Sequence, residues 1–422
     1  MKKTAIIALL SVSLLAGLAS CEKEQFNREI YNGYVDYQFM VDSVDRTHDW
    51  KLTQSGTVAV TVSANASKVQ LLTANPYSDS KAEIAAEGQL QGSESLLTLN
   101  YTVPIDLQTI YAAAVTGSGE YLGVMPFSVG TEQITLSADL LTGGTLQQKP
   151  SYQTMTYLYE VGYPYPDDFD FNDMVLRISK KPGPTQNDVD LTVTFEAAGT
   201  DNSFAAAVQL ADIRYKDVEQ AEIVAGTQMD MGYPLSNRFI KSNNLLQKGN
   251  DDQAVIRLFE NAHWAFNKKT NKLGGIDMLR FNTSHNDIED YSATVNPITV
   301  TYRITFKDAQ QARRFSFDNV DPFIIHVYNG GFWEVHTYGH KFDEVLWKIY
   351  NGKSYLFDNH ISWSLVIPQS DFRYAVEGIC PGSYNSTTGS RFGPYQYYSH
   401  WLQNHKLYLD WYRIITQEAL LY

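Results

Sequence analysis

Hydrophobic side chains recur at every second position along most of this chain. In GTVAVTVS, residues 56–63, the side chains of Val58, Val60 and Val62 would share one face of a β-strand. Similar runs, separated by turn residues, follow at 68–74, 95–103, 110–116 and 120–129. This spacing of short strands predicts a small β-sandwich over residues 36–140.

The same alternation continues in the second part of the chain. VDLTVTFEAAG and ITVTYRITF each place an apolar residue at every second position, and FIIHVYNGGFWEVH shows two strand-like runs around an Asn-Gly-Gly turn. One helix is predicted in QYYSHWLQNH, where Tyr397 and Trp401 lie one turn apart. The pattern therefore predicts an all-β, mainly β-sandwich fold with a minor helix near the C-terminus. LTGGTLQQKP, residues 141–150, has two glycines and a proline and predicts a linker before a second domain at 151–422.

The first residues have the pattern of a bacterial lipoprotein signal. Lys2 and Lys3 precede an apolar stretch that is too short to span a bilayer, so residues 1–20 are predicted to be a signal peptide. Leu18-Ala19-Ser20-Cys21 resembles a lipobox, and we expect Cys21 to carry the lipid that anchors the chain to a membrane. Residues 21–35 would then be a tether. This predicts an outer-membrane lipoprotein that faces the periplasm or the exterior.

Charge and cysteine content narrow the function classes. The formal net charge is -14, which argues against nucleic acid as a partner, because proteins that bind nucleic acid need basic patches. There are two cysteines. If Cys21 carries lipid, Cys380 has no cysteine partner, so no disulfide framework is expected.

The stretch DDFDFND, residues 167–173, crowds carboxylates around two phenylalanines. On a strand, Asp168, Asp170 and Asn172 would point one way, and Phe169 and Phe171 would anchor the other face. Carboxylates so close together repel each other unless a cation binds between them. Calcium prefers such oxygen ligands, so the residues predict a calcium-stabilised acidic strand, with further ligands from Glu160 and from Asp167 and Asp173 of the same stretch. The alternative is that these aspartates bond to neighbouring backbone groups of a turn and keep their charge in solvent.

The segment YLYEVGYPYPDDFDFNDMVLRIS resembles the start of the LruC-type domain of Gram-negative surface lipoproteins, a family of largely unknown function. The family pattern is an acidic residue, a turn, and an Asp-aromatic-Asp-aromatic-Asn-Asp run into an aliphatic strand. It is matched here by Glu160, Asp168, Asp170, Asn172 and Asp173. The later stretches 321–336, 361–368, 372–378 and 410–412 also resemble family blocks. This resemblance implies a LruC-like β-rich domain over 151–422 and supports the prediction of a structural cation.

The chain departs from that family at three places. Ala375 stands where the family tends to have proline, and residues 380–398 look like an enlarged loop. QNHKLY, residues 403–408, replaces the glycine-containing turn expected before Asp410. These departures put the geometry of the C-terminal loop in question and leave the acidic segment unaffected.

Other residue patterns give weaker support for a site. His336 and His340 have a spacing that binds zinc on a helix, but they follow a predicted hairpin, so packing or surface histidines are expected. The sequence has no G-x-S-x-G elbow, Walker loop or dinucleotide fingerprint. Cys380 is expected to be a buried small residue and not a nucleophile, because no base is evident near it.

Aromatic residues are dense near the C-terminus. They would either form a stacking platform for a glycan or protein partner, or pack in the core. The candidates for ligand contact are Phe392, Tyr395, Tyr398, Trp401 and Trp411.

Together these features predict a non-enzymatic, membrane-anchored lipoprotein that acts in surface adhesion or structural binding. One alternative is a glycan-binding lipoprotein of a nutrient-uptake system. Another is a calcium-dependent hydrolase, which would need two carboxylates facing each other across an open cleft.

Overall fold

The structure is a computed structural model of the chain. It describes residues 44–63, 65–162, 168–230, 239–240, 242–266, 279–288, 291–328, 331–340, 361–382, 384–385, 390–391 and 393–422. The predicted signal peptide, Cys21 and the predicted tether lie outside the described residues.

The fold is all-β, as the alternating pattern predicted. Two sheets form a first sandwich. Its strands are β1 Thr53–Val62, β2 Lys68–Leu72, β3 Glu83–Gln89, β4 Leu96–Pro104, β5 Thr109–Val115, β6 Tyr121–Ser128, β7 Gln133–Leu136 and β8 Ser151–Tyr152. One sheet has the order β4-β1-β7 and the other β6-β5-β2-β3-β8. Val58, Val60 and Val62 are buried between them, because alternate side chains of β1 point to the same face.

A second, larger sandwich follows. Its strands are β9 Thr154–Tyr159, β10 Met174–Pro182, β11 Asp188–Ala197, β12 Phe204–Arg214, β13 Val218–Ala225, β14 Leu246–Lys248, β15 Gln253–Phe259, β16 Arg280–Phe281, β17 Ser292–Ala293, β18 Ile298–Phe306, β19 Val320–Tyr328, β20 Gly331–His336, β21 Ser364–Ile367, β22 Tyr384–Asn385 and β23 Ser390–Arg391. The two main sheets have the orders β13-β18-β11-β10-β9-β21 and β14-β15-β12-β19-β20.

The described helices are short. They are α1 Ala262–Phe266, α2 Ala309–Arg314 and α3 Tyr398–Gln403, with 3-10 turns at Tyr215–Asp217, Asn250–Asp252, Phe317–Asn319, Trp411–Arg413 and Glu418–Leu420. Helix α3 confirms the predicted helix near the C-terminus. Among the residues described, no helix has the length and apolar character needed to cross a membrane.

The segment before β1 packs with the second sandwich. Val44, Trp50 and Leu52 belong to the large core that also contains the strands of the second sandwich. Asp45 donates its backbone N–H to the carbonyl of Leu402 in α3 at 2.8 Å. The chain therefore enters the described fold beside its C-terminal helix.

Two adjacent strands bring the predicted metal ligands to one end of the larger sandwich. β9 and β10 are antiparallel, and Tyr159 at the end of β9 lies opposite Met174 at the start of β10. Glu160 follows β9 directly, and the acidic segment, defined here as residues 168–173, precedes β10 directly. The strand register therefore explains why residues from both sides of this turn meet.

Candidate metal centre

Three carboxylates meet at this end of the sandwich. One oxygen from each of Glu160, Asp168 and Asp170 lies within 4.8 Å of the others. Glu160 and Asp170 are buried, and Asp168 is half-buried. These three residues are here called the carboxylate cluster. The fold brings these three predicted ligands close together.

The acidic segment is not a strand, and the predicted alternation of faces is wrong. Phe169 and Phe171 both have φ of 58°, in the left-handed region, and β10 begins only at Met174. The backbone therefore coils, so that Asp170 and Asn172 are buried together with both phenylalanine rings. The phenylalanines do anchor the segment in the core, as predicted.

Hydrogen bonds to carboxylates hold this coil. Phe171 donates its backbone N–H to Glu160 Oε1 at 2.6 Å, and Asn172 donates its own to Asp170 Oδ1 at 3.0 Å. The carboxylate of Asp173 accepts a hydrogen bond from the backbone N–H of Val161. These acids thus order nearby backbone, as the alternative interpretation expected. Its expectation that their charges stay in solvent is wrong, because Glu160, Asp170 and Asp173 are buried.

A distant part of the chain completes the site. Gly378 donates its backbone N–H to Asp170 Oδ2 at 2.7 Å, and the side-chain amide of Asn172 donates to the carbonyl of Ala375 at 3.1 Å. Gly199 packs so closely on Asn172 that a Cβ there would lie 1.8 Å from Asn172 Oδ1. Sequence reasoning did not identify Gly199 or Gly378 as site residues, although the family-like stretch 372–378 contains Gly378.

The predicted ligands have different roles. Asp173 lies outside the group of three carboxylates, and its described contact is with Val161. Asn172 faces Ala375 and Gly199. Asp167 lies outside the described residues. The geometry therefore offers Glu160, Asp168 and Asp170 as the ligands for a cation.

Electrostatics disfavours a fully ionised cluster without a counter-charge. Burial raises the pKa of Asp170 well above its usual range, and the negative charges of Asp168, Glu160 and Glu377 raise it further. Glu377 itself is paired with Arg280 at 2.9 Å. A divalent cation among the three carboxylates would favour their charged forms.

Cys380 lies close to this cluster and is buried. Burial first, and then the negative charges of Glu160 and Asp170, raise the pKa of its thiol far above its ordinary value. The protonated thiol is a poor nucleophile. The described environment agrees with the prediction of a buried small residue.

The histidine pair does not form a zinc site among the residues that the structure describes. His336 ends β20 and is buried, with Nδ1 2.6 Å from Asp321 Oδ2 and Nε2 3.3 Å from Glu334 Oε2. Although burial lowers the pKa of His336, Asp321 and then Glu334 raise it to about 9. His336 is therefore the cationic partner of a buried ion pair.

The predicted aromatic platform is wrong for the described residues. Tyr395, Tyr398, Trp401 and Trp411 are each at most 1% exposed. Trp411 lies between the other rings, with centroids at 4.8 Å from Tyr398 and 5.4 Å from Tyr395. These rings pack as core, which was the alternative interpretation. Phe392 lies outside the described residues.

Comparison with known proteins gives a family and a related fold. A family model described as "Domain of unknown function (DUF4842)" matches residues 187–412. No curated protein matches this chain. The crystal structure of a "Putative lipoprotein from Bacteroides ovatus" matches with a TM-score of 0.53 and 16% identity, over 85% of this chain and 99% of that one. At this identity the likeness shows the fold alone.

A second solved structure is more distant. It is the T6 backbone pilin of serotype M6 Streptococcus pyogenes, with a TM-score of 0.14 and 8% identity over 66% of this chain and 58% of that one. This similarity is too low to support a structural argument.

Proposed function

Because the chain belongs to the DUF4842 family, whose function is unknown, we propose its role from its N-terminal pattern, its fold and its carboxylate cluster. The protein is a lipoprotein of the outer membrane, anchored through Cys21, that acts in surface adhesion or structural binding outside the cytoplasm. Its second part is a LruC-like domain, and calcium bound by the carboxylate cluster stabilises that domain.

The anchoring proposal rests on two supports. One is the lipobox-like Leu18-Ala19-Ser20-Cys21 behind a short apolar stretch. The other is the fold shared with a protein described as a lipoprotein. The mass of the N-terminal peptide of protein isolated from membranes tests it, since acyl chains on Cys21 add a large and characteristic mass. An unmodified Cys21 would contradict it.

The observation that carries the calcium proposal is the convergence of three carboxylates, two of them buried and the third half-buried. Calcium is bound by carboxylate and carbonyl oxygens at about 2.3–2.6 Å, so oxygens already within 4.8 Å of each other can share one ion. Hydrogen bonds from Phe171 and Gly378 fix Glu160 and Asp170, so little ordering would be needed on binding. The half-buried Asp168 leaves the cluster a route to solvent.

Calcium titration of the mature protein, followed by thermal melting with calcium or EDTA, tests this role. Calcium that binds only the folded state should raise the free energy of unfolding by about 2.7 kcal/mol at a hundredfold excess over its dissociation constant. Asp168→Ala/Asp170→Ala should abolish that rise. Asp170→Asn should also abolish it, because it removes one ligand charge at nearly constant shape.

Asp173→Asn is the matched control. The asparagine Oδ1 can still accept the hydrogen bond from Val161, and residue 173 lies outside the carboxylate cluster. This variant should therefore keep the calcium-induced rise even if its baseline stability changes. Equal stability of the wild-type protein in calcium and in EDTA, with no metal retained on isolation, would overturn the calcium proposal.

Neither alternative function gains a supporting observation. The four described aromatics proposed for glycan contact are buried. The carboxylates of the cluster converge on one another, whereas glycoside hydrolysis needs two carboxylates that face each other across an open cleft. Binding or structural action therefore remains the proposal.

A further inference from the structure

A partly exposed aromatic surface lies beside the C-terminal helix. Tyr397 precedes α3, and its ring stacks on Tyr408 with centroids 4.4 Å apart and an interplanar angle of 18°. The ring of His400 lies 5.2 Å from that of Tyr408. Tyr408 is 39% exposed and the neighbouring Leu407 is 49% exposed. These four residues are called the aromatic patch.

The backbone beneath the patch is specifically held. Tyr408 has φ of 51°, a left-handed conformation that is strained for a residue with a side chain. Its carbonyl accepts the N–H of Trp411 at 2.9 Å, which ties the exposed loop to the buried core. The loop therefore holds an apolar side chain and an aromatic ring outward on a fixed support.

The chain enters the fold directly beside this patch. Asp45 bonds to Leu402 of α3 through its backbone, and its carboxylate lies 2.6 Å from His405 Nδ1. His48 continues the contact, because its ring packs edge-to-face on Trp401 at 4.3 Å. The first described residues thus dock on the element that carries the patch.

The position of the docked segment beside the aromatic patch indicates what the patch contacts. Residues 22–43 link the proposed lipid on Cys21 to the docked segment and span at most about 80 Å when fully extended. Among the described residues, the docked segment is the part closest in sequence to the proposed anchor at Cys21. The attachment point of this tether and the aromatic patch therefore lie beside the same helix, α3.

We propose that the aromatic patch contacts the lipid surface to which Cys21 anchors the protein. Tyr397 and Tyr408 lie among the headgroups with their hydroxyls toward water, and Leu407 reaches the edge of the acyl region. A single small patch binds a bilayer weakly, but the anchor keeps it at high local concentration. The contact holds the anchored protein in one orientation. This inference rests on the proposed anchoring.

Site-specific fluorescence on the anchored protein tests this orientation. Leu407→Cys is labelled with an environment-sensitive dye, and Leu140→Cys is the control, because Leu140 is 52% exposed on the first sandwich. Cys380 is buried, and lipidation would block Cys21, so each variant carries one reactive thiol. Vesicles contain phosphatidylcholine, some phosphatidylglycerol and a lipid-borne nitroxide quencher.

We expect the dye at position 407 to shift to shorter wavelength and to be quenched about threefold or more relative to position 140, because interfacial burial reaches about 5–10 Å into the headgroup region. Adding Tyr397→Ser/Tyr408→Ser should reduce the quenching at 407. Equal, water-like emission at both positions would overturn the proposal. Protection of position 407 by soluble glycans but not by vesicles would also overturn it, in favour of a sugar platform.

A second arm separates this inference from the anchoring proposal. Protein made without the signal peptide, carrying Cys21→Ser and an N-terminal hexahistidine tag, is bound to a nickel-chelating lipid in the same vesicles, so that position 407 keeps the one reactive thiol. The dye at position 407 could be quenched in this form while Cys21 of the natural protein is found unmodified. That pair of results would contradict the anchoring proposal and support the contact between the aromatic patch and lipid. A lipid-modified Cys21 with no quenching would contradict the patch and leave anchoring intact.

Discussion

The two sandwiches use the same strand pattern but bury different chemistry. Within residues 53–63 and 65–136 of the first sandwich, as the structure describes them, the buried polar residues are Gln70 and Thr102, and the side chain of Glu87, 4% exposed, pairs with Lys68. The larger sandwich buries a set of charged side chains: Glu160, Asp170, Asp173, Asp230, Arg257, Glu260, Asp321 and His336. Apolar burial therefore stabilises the first sandwich, whereas the second also depends on the pairing of each buried charge.

This difference shows where solution conditions can act. Apolar contacts respond little to pH or to metal ions, because neither changes the hydration of a methyl group. Buried charges respond to both, since protons and cations change their charge or their partners. We therefore expect calcium and pH to alter the stability of the larger sandwich and to leave that of the first nearly unchanged.

The largest expected effect comes from the ion pair of Asp321 and His336. Thr337 donates two further hydrogen bonds to Asp321 Oδ1, and the carboxylate is fully buried. Asp321→Ala removes the buried anionic partner of His336 and leaves the more exposed Glu334 beside it, so it should reduce the free energy of unfolding by about 3–5 kcal/mol. Denaturant melts followed by near-UV circular dichroism measure this loss. The exposed Asp139→Ala is the control, and a loss below about 1 kcal/mol for Asp321→Ala would contradict the pairing.

The same pair predicts a pH dependence of defined sign. The pKa of His336 is about 9 in the folded state and 6.5 ordinarily, so its contribution is fully present below pH 6.5. The contribution is lost as the pH rises through 9. In Asp321→Asn this loss should be much smaller over the same range, because the neutral side chain no longer favours the imidazolium ion.

The next effect concerns the apolar core of the first sandwich. Leu99 in β4 is fully buried. Leu99→Ala should cost about 2–5 kcal/mol, depending on how far the neighbouring side chains relax into the cavity. Calcium should raise the stability of the larger sandwich equally in this variant and in the wild type. If Leu99→Ala also lowers the melting temperature of the calcium-sensitive transition, the two sandwiches unfold as one unit, and the comparison fails.

The smallest expected effect lies between the two sandwiches. Burial raises the pKa of Glu83 in β3 to about 7, and the negative charge of Asp371 adds to this effect. Protonated Glu83 therefore contributes stability below pH 4.5 that is lost as the pH rises through 7. Glu83→Gln should stabilise the protein on the order of 1 kcal/mol at pH 8, because solvent screens part of the interaction. It should have no effect at pH 4, and thermal melts at both values check this.

The site shows how far local sequence reasoning reaches. The crowding of Asp168 and Asp170 around phenylalanines pointed to the correct segment, because buried aromatics and acids in one short stretch need compensation. It did not predict the coil, because bulky residues disfavour positive φ by roughly 1–2 kcal/mol. Burial of both rings and the hydrogen bonds to Glu160 and Asp170 offset that cost.

The aromatic residues near the C-terminus show the same limit. The density of aromatic side chains there suggested a surface for ligand contact. In the structure, however, buried and half-buried residues alternate within a few positions of one helix. Tyr398 and Trp401 face the core, and Tyr397 lies half-buried at the edge. The choice between platform and core depends on which face the larger sandwich covers, and that is a long-range contact.

The sequence by itself determined the all-β fold, the helix near the C-terminus and the location of the acidic segment. These follow from side-chain alternation and composition, which are local properties of a chain. Tertiary structure alone decided which acids converge, because Glu160 is placed by the register of β9 and β10, and Gly378 reaches Asp170 from more than 200 residues away. It also decided that the described part of the larger sandwich buries more charged side chains than that of the first, since burial depends on packing between distant strands.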